Sequence, residues 1–486
     1  MLRTIKRFLF ENTTIRQTVA KNVFWLSISN FGGRLLRAAI IIYAARILGT
    51  AEWGIFSYAI SLVTFLTVFV DAGVSQLLVR EFSKLDDPAR QQKIISTSFL
   101  LKAALICIGV LVIVLLGPFI TNIDGVKIIL PIAALIFAFD NMREFGFSIV
   151  RACEKMQLET GLYMLTNLAI VIFGFIFLQG SATVGAFTFA YALGTGIGMA
   201  ATLYTVREKL RGIFSNFEFL ILRSILVSGW PLAISAVLGM LMINTDILLI
   251  GFFQSAHDVG LYSAAQRIVQ LLYIVPAIIT VSLLPSFSRL ANNENEKLRR
   301  ILEIVVPFTF LIAIPIAVGG MLLGSQIMEF VFGNSYLGSA SSFQILLTTI
   351  LIDFPVVILA NVAFAYGKQK KLMMYAGIGG LSNIILDLIL IPRFGILGSA
   401  WATLFAQVLS VAYLWKVVRG VSKPKVLPYL KKIVMATGIM AIAVMLVTLA
   451  GAHVIASIFA GAVVYAGMLF LLKEPLLREI RNLASA

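Results

Sequence analysis

Stretches of about 20 predominantly apolar residues, each bounded by a short polar or glycine-bearing break, recur along this chain from Val19 to Leu472. That feature decides the fold class. A run of this length crosses the hydrocarbon core of a bilayer as a helix, and inside lipid every backbone N–H and C=O must be satisfied by the protein itself. The runs are continuously apolar, which excludes barrel strands, whose lipid-facing and lumen-facing residues alternate. Composition agrees: 60% of residues are hydrophobic and 13% charged, against about 25% charged in a soluble domain. The sequence therefore predicts an all-α polytopic membrane protein.

Apolar runs set against loop signals predict fourteen spans: 22–46, 54–79, 94–116, 127–150, 159–179, 183–206, 225–251, 258–286, 301–324, 341–366, 372–391, 396–418, 429–450 and 453–472. Only Gly451-Ala452-His453 separates the last two, and without that break the count would be thirteen. Arg3, Lys6 and Arg7 precede too short an apolar run, with no small-residue cleavage site, for a removable signal. Residues 1–21 are expected at the inner surface, their first part as a short amphipathic helix, and 473–486 as a cytoplasmic tail.

Charge placement supports this layout. With both termini cytoplasmic, the inner segments hold 31 of the 39 Lys and Arg and the outer segments three: Arg46, Lys127 and Arg393. Such asymmetry over short loops is the positive-inside rule. It also accounts for the formal net charge of +16 without a nucleic-acid partner. Cys107 and Cys153 form no spacing motif.

The chain repeats itself. Gly54-Ile-Phe-Ser-Tyr-Ala59 opens the second span and Gly260-Leu-Tyr-Ser-Ala-Ala265 the eighth, 206 residues later. A fainter echo pairs Gly185-Ala-Phe-Thr with Gly398-Ser-Ala-Trp. Two six-helix bundles, 22–206 and 225–418, related as parallel repeats, are expected, with 429–472 as two accessory helices. A substrate site would then lie between the repeats near the midplane.

Five basic residues remain inside the spans: Arg34, Arg37, Lys102, Arg143 and Arg267. Each costs about 2.5–3.5 kcal/mol at the bilayer centre, so each should face a wet cavity or a partner. Ser27, Asn30, Arg34 and Arg37 follow at intervals of 3, 4 and 3 and share one helix face. At about 1.5 Å per residue, Arg34 lies roughly 18 Å from the inner end of its span. Arg267 lies roughly 14 Å deep from the outer side, with Ser263 and Gln270 on its face. Lys102 is shallow enough to snorkel to the inner surface, and Arg143, beside Asp140 and Glu144, fits a local network as well as a ligand role. The carboxylates in or near the spans are Asp71, Asp140, Glu144, Asp246, Asp353 and Asp387, with Asn383 one turn before Asp387. Asp71, Asp246 and Asp387 are candidates for a coupling proton or Na⁺, although any of them could instead neutralise an arginine. No Walker loop, HExxH or paired metal-ligand motif is present, and neither histidine, His257 or His453, falls in the middle of a span. Transport without ATP hydrolysis or a bound cofactor is the expectation.

Ala44-Ala-Arg-Ile-Leu-Gly-Thr-Ala-Glu-Trp-Gly-Ile-Phe-Ser-Tyr58, followed by Asp71-Ala-Gly-Val and Leu78-Val-Arg-Glu81, resembles the O-antigen-type polysaccharide flippases of the multidrug/oligosaccharidyl-lipid/polysaccharide (MOP, MATE-like) exporter superfamily. Their pattern is a glycine, then an acidic–aromatic–Gly triplet, then Asp-x-Gly before a Leu-Val-Arg-Glu end. The likeness extends over roughly residues 20 to 420. It implies two six-helix bundles in a V around a central cavity and transfer of a polyprenyl-diphosphate-linked oligosaccharide from the inner to the outer leaflet of the plasma membrane. It also implies glycosyltransferase and polysaccharide-polymerase partners, and a monomer is expected. The residues agree on one point: a diphosphate is a compact anion, and arginine binds phosphate oxygens in a forked geometry. Arg34, Arg37 and Arg267 are then the candidate diphosphate ligands, with Asn30 and Gln270 as polar neighbours and Arg143 as a further candidate. The alternatives are a cation or drug antiporter of the same superfamily, whose cargo would favour a carboxylate-lined cavity, and a non-transporting scaffold for a glycan-assembly complex.

Overall fold

The computed structural model describes residues 15–71, 73–84, 87–276, 287 and 295–476. The expected amphipathic segment before residue 15, the second part of span 258–286 and the tail beyond 476 lie outside them. No strand occurs among the described residues, as lipid burial of these runs requires. In chain order the helices are α1 (Ile15–Asp71), α2 (Val74–Phe82), α3 (Pro88–Ile120), α4 (Asp124–Ala152), α5 (Met156–Gly180), α6 (Val184–Thr205), α7 (Phe219–Phe253), α8 (Ala256–Leu272), α9 (Asn295–Leu322), α10 (Gly324–Phe332), α11 (Asn334–Ala365), α12 (Gln369–Arg419), α13 (Leu427–Leu449) and α14 (Val454–Leu471).

Eleven of these are long and apolar enough to cross a membrane. Two of the eleven, α1 and α12, have 57 and 51 residues. At about 1.5 Å per residue, each is more than twice the roughly 30 Å of hydrocarbon. Each is divided by a glycine in a conformation closed to other L residues, Gly49 (φ 74) and Gly395 (φ 57). The two breaks fall where loops are expected, between spans 22–46 and 54–79 and between 372–391 and 396–418. The separation of the last two spans is also present: α13 ends at Leu449, and His453 Nδ1 accepts from the Ile455 amide (3.3 Å) to cap α14. Expected span 54–79 is not one helix, because α1 stops at Asp71 and α2 starts after Gly73. Expected span 258–286 is described only in part, so the described residues do not reach the full count of fourteen.

The chain divides into two compact units, Met1–Met240 with Gly251–Gly260, and Leu241–Ile250 with Leu261–Ala486. The division runs through α7, not through the 207–224 loop expected from the sequence. The first part of α7 belongs to unit 1 because Ile225 is buried with Val74 and Leu77 of α2. The loop before it is held to α3 by Lys93 Nζ–Glu218 Oε2 (3.0 Å). In unit 1, α5 packs against α1 and α6, and α4 against α6 and α1. In unit 2, α11 packs on α12, and α13 packs on α9 and α14. The accessory pair is anchored by Leu311, Ile433, Ala436 and Leu469, with Tyr465 Oη donating to the Leu311 carbonyl (2.7 Å).

The repeat glycines meet within unit 1. A Cβ on Gly54 would strike the Ala256 carbonyl, and a Cβ on Gly260 would strike the Thr50 carbonyl. Positions 50 and 54 are thus matched by 256 and 260 at the same offset of 206, and the contact is reciprocal. Thr50 Oγ1 and His257 Nδ1, 2.6 Å apart, close the same contact. The motif keeps glycine here because backbone approaches backbone without room for a methyl group.

Candidate substrate and ion sites

Arg37 is held entirely within unit 1. Its Nε donates to Asn167 Oδ1 (3.1 Å) on α5, and its guanidinium lies 5.9 Å and 5.8 Å from the ring centroids of Tyr163 and Tyr191. Asn167 is oriented by its own Nδ2, which donates to the Tyr163 carbonyl one turn back (2.8 Å). Gly33, one turn before Arg37, lets α5 come this close, since a Cβ there would overlap the Tyr163 ring and reach Asn167. The partners of Arg37 are neutral, and Nη2 is buried with no hydrogen-bond partner among the described residues. Asp140, the carboxylate that acts on it electrostatically, is bonded to Arg143 (2.8 Å). Arg37 therefore keeps its charge and an open donor inside the apolar layer, where neither is favourable without an anion.

The other cations differ. Arg34 is exposed and makes no hydrogen bond or ion pair to another described residue. Arg267, in unit 2, is half-buried with Nη1 3.4 Å from Gln270 Oε1, the polar neighbour expected from the sequence. The side chains of Ser27 and Asn30 lie outside those described. Arg143 is buried, pairs with Asp140 on its own helix and lies over Phe147 (5.6 Å), which is the local-network reading of that residue. Glu144, its other neighbour in sequence, pairs instead with Arg151 (2.6 Å), which also holds Glu159 through two nitrogens.

Lys102 does not snorkel. Its side chain is 1% exposed, and Nζ donates to Asp71 Oδ1 (2.6 Å), which also accepts from Ser75 Oγ (2.5 Å). Asp71 is thereby neutralised by a fixed cation, which removes the charge a coupling ion would seek. The pair lines a cavity of about 240 Å³ with Thr67, Asn141 and Glu144.

Asp246 and Asp387 do come together in unit 2. Asp246 on α7 accepts at Oδ2 from Tyr262 Oη (2.5 Å) and Thr403 Oγ1 (2.9 Å). Asp387 and Asn383 on α12 lie close enough to interact with it, and Ser399 is within reach of Asp387. Asp246, Asp387, Asn383, Tyr262 and Ser399 are each at most 1% exposed. Asp246 Oδ1, both Asp387 oxygens, both polar atoms of the Asn383 amide and Ser399 Oγ are buried without a hydrogen-bond partner among the described residues. Two carboxylates in one apolar enclosure cannot both stay ionised unless a cation or proton joins them. An all-oxygen set of this kind suits a hard cation. Asp353, by contrast, is satisfied by Tyr273 Oη (2.6 Å) and Gln407 Nε2 (3.1 Å). Asn167 and Thr403 were visible in the sequence as polar residues within spans. Nothing in the sequence pointed to Tyr163, Tyr191 or Tyr262, whose aromatic rings read as ordinary core.

These features define a multi-pass, all-α membrane protein with a guanidinium inside the helices of unit 1 and a pair of buried carboxyl groups in unit 2. The family model described as polysaccharide biosynthesis protein matches residues 19–291, and the MatE model matches 231–389. The chain belongs to the polysaccharide biosynthesis protein family. A Shigella flexneri protein named as an O-antigen transporter is 24% identical over 400 residues, covering 79% of this chain and 93% of its own. A Haloferax volcanii protein named as a flippase, AglR, is 26% identical over 397 residues, covering 76% and 77%. Among solved structures, the inward closed lipid II flippase MurJ superposes with a TM-score of 0.78 at 20% identity, covering 93% of this chain and 99% of its own. An inward-facing multidrug resistance MATE transporter of the MOP superfamily gives 0.62 at 17%, covering 82% and 98%. The expected kinship with MATE-like exporters and O-antigen-type flippases is borne out, and the fold is of the MurJ and MATE kind.

Proposed function

We propose that this protein is a flippase that carries a polyprenyl-diphosphate-linked oligosaccharide from the inner to the outer leaflet of the plasma membrane, by alternating access, for cell-surface polysaccharide synthesis. The observation that carries the reading is Arg37: a membrane-embedded guanidinium with only neutral partners and a buried, unused Nη2. A diphosphate supplies what that group lacks, two or more anionic oxygens in fork geometry. Arg34 and Arg267 are the further ligands in this reading, and Gln270 orients Arg267. The names of two relatives, an O-antigen transporter and a low-salt glycan biosynthesis flippase, support a glycan cargo.

In this account the Asp246–Asp387 cluster takes up the coupling cation, Na⁺ or H⁺, with Asn383 and Thr403 completing an oxygen cage. The chain acts without enzymatic chemistry, as a monomer, with N- and C-termini in the cytoplasm. The glycosyltransferases and polymerase that handle the same carrier are its working neighbours. Surface glycan measured in cells tests the assignment: an Arg34→Ala, Arg267→Ala double variant should abolish surface glycan while accumulating in the membrane at the parent level. Normal export by that variant at parent abundance would overturn it.

A further inference from the structure

Unit 2 carries a cationic cavity that shares no residue with the sites above. At the end of α11 the amides of Gly367 and Lys368 fold back onto the carbonyls of Phe364 (3.0 Å) and Ala363 (2.9 Å), a turn that Gly367 permits at φ 68. The next helix, α12, begins immediately at Gln369. This tight reversal sets Lys368, Lys370 and Lys371 side by side. Lys416, in the last turn of α12, and Tyr413, one turn earlier, line the same cavity of about 840 Å³. No carboxylate lines it, and none of the four lysines has an acidic partner within ion-pair distance among the described residues. The Lys371 and Leu372 amides bond back to the Lys368 carbonyl (2.9 and 3.1 Å), which leaves Gln369 and Lys370 as the amides at the positive end of the α12 dipole.

Four unpaired ammonium groups around one cavity repel one another unless an anion sits among them. The flanking surface indicates where that anion comes from. Phe364, Met373 and Met374, on either side of the turn, are 53%, 37% and 53% exposed. Apolar surface continuous with a ring of lysines is the profile of acyl chains meeting headgroups. We propose that this cavity binds the phosphate headgroup of an anionic glycerophospholipid, on the leaflet that the positive-inside rule makes the inner one. The lysines hold the phosphate, the Tyr413 hydroxyl turns to it from its present partner, Met374 Sδ (3.3 Å), and the acyl chains lie along Phe364 and the two methionines. The inference rests on the placement of these lysines and does not depend on what the protein transports.

Native mass spectrometry of the full chain, titrated with phosphatidylglycerol and in parallel with phosphatidylcholine, tests it. Replacing Lys368, Lys370, Lys371 and Lys416 together by Gln should weaken the tightest phosphatidylglycerol site at least about tenfold. The matching four Lys→Arg changes should retain it, which separates loss of charge from misfolding. A control with Lys423, Lys425, Lys431 and Lys432 changed to Gln should leave that site within about twofold. Equal losses in the two Gln variants would show generic charge attraction and overturn the proposal, as would no loss in the first. Displacement of the lipid by inorganic diphosphate at equal concentration, or clear preference for a polyprenyl diphosphate, would overturn the assignment to a glycerophospholipid.

Discussion

Lys102→Met is the substitution whose outcome the structure specifies most closely. The side chain is 1% exposed, and its ammonium meets Asp71 at 2.6 Å, so methionine fills the same volume while stranding the carboxylate. Removing one member of a buried ion pair costs about 3–5 kcal/mol, because the remaining charge is desolvated and alone. Asp71 is not sealed in: it is 29% exposed and keeps the hydrogen bond from Ser75. Solvent therefore relieves part of the loss, and the cost falls to about 2–3 kcal/mol, roughly a 30- to 160-fold shift in the folded-to-unfolded ratio. Asp71→Asn with Lys102→Met removes both charges and should recover most of it, leaving a favourable coupling energy of about 2 kcal/mol in the double-mutant cycle. Reversible unfolding of the four proteins in mixed micelles by a denaturing detergent reads this directly. A near-neutral Lys102→Met, or a double variant as unstable as the sum of the singles, would refute the pairing and return Lys102 to the inner surface.

Gly54→Val and Gly260→Val each drive a side chain into a backbone carbonyl that cannot move aside, so each should cost several kcal/mol and sharply reduce membrane-extracted, monodisperse protein by size-exclusion chromatography, whereas Gly161→Ala, with open space around it, should not. Asp387→Asn leaves one carboxyl group in the cluster, and flipping measured with and without an imposed Na⁺ or proton gradient should lose its gradient dependence; unchanged dependence would remove the cluster from coupling. Single cysteines placed at Lys84, Lys155, Arg211, Lys297, Lys370 and Lys425, with Cys107 and Cys153 first replaced, should resist an impermeant thiol reagent in intact cells, and labelling at several of them would overturn the topology.

Much of the fold could be read directly because lipid leaves so few choices. An apolar run of sufficient length has to be a helix, and the glycines at 49 and 395 stand where two such runs abut. The pattern was silent on rotation about each helix axis and on which helices are neighbours, and pairing depends on those. Arg143 and Asp140 lie one turn apart and could be associated by spacing alone. Lys102 and Asp71 are 31 residues apart, and Thr403 is 157 from Asp246, separations over which periodicity carries no information. Depth alone therefore made Lys102 a snorkelling residue. The same limit explains the candidate site. Charge within a span marks Arg37, Asp246 and Asp387 as needing company, but the tyrosines beside them, and the pairing of Asn167 with Arg37, emerge only from packing. The unit boundary inside α7 is a further case: hydropathy marks where that helix crosses, whereas its allegiance to α2 comes from Ile225 meeting Val74 and Leu77.

The central claim is that Arg37 holds a diphosphate rather than bracing its own bundle, and one substitution separates these roles. Asn167→Asp gives the guanidinium a carboxylate in place of an amide oxygen 3.1 Å away, which strengthens any bracing role and cancels the charge offered to an anion. The purified variant, reconstituted into vesicles with a fluorescent polyprenyl-diphosphate oligosaccharide in the outer leaflet, is assayed by loss of accessibility to a membrane-impermeant quencher. The account predicts transfer by the parent, an intermediate rate for Arg37→Lys, and a fall of at least about tenfold for Asn167→Asp, the scale of one charge-assisted hydrogen bond, with thermal stability close to that of the parent because the new charge pair offsets the lost Asn167 Nδ2 bond to the Tyr163 carbonyl. Parent-like transfer by Asn167→Asp, or no transfer of this lipid by the parent, would contradict it.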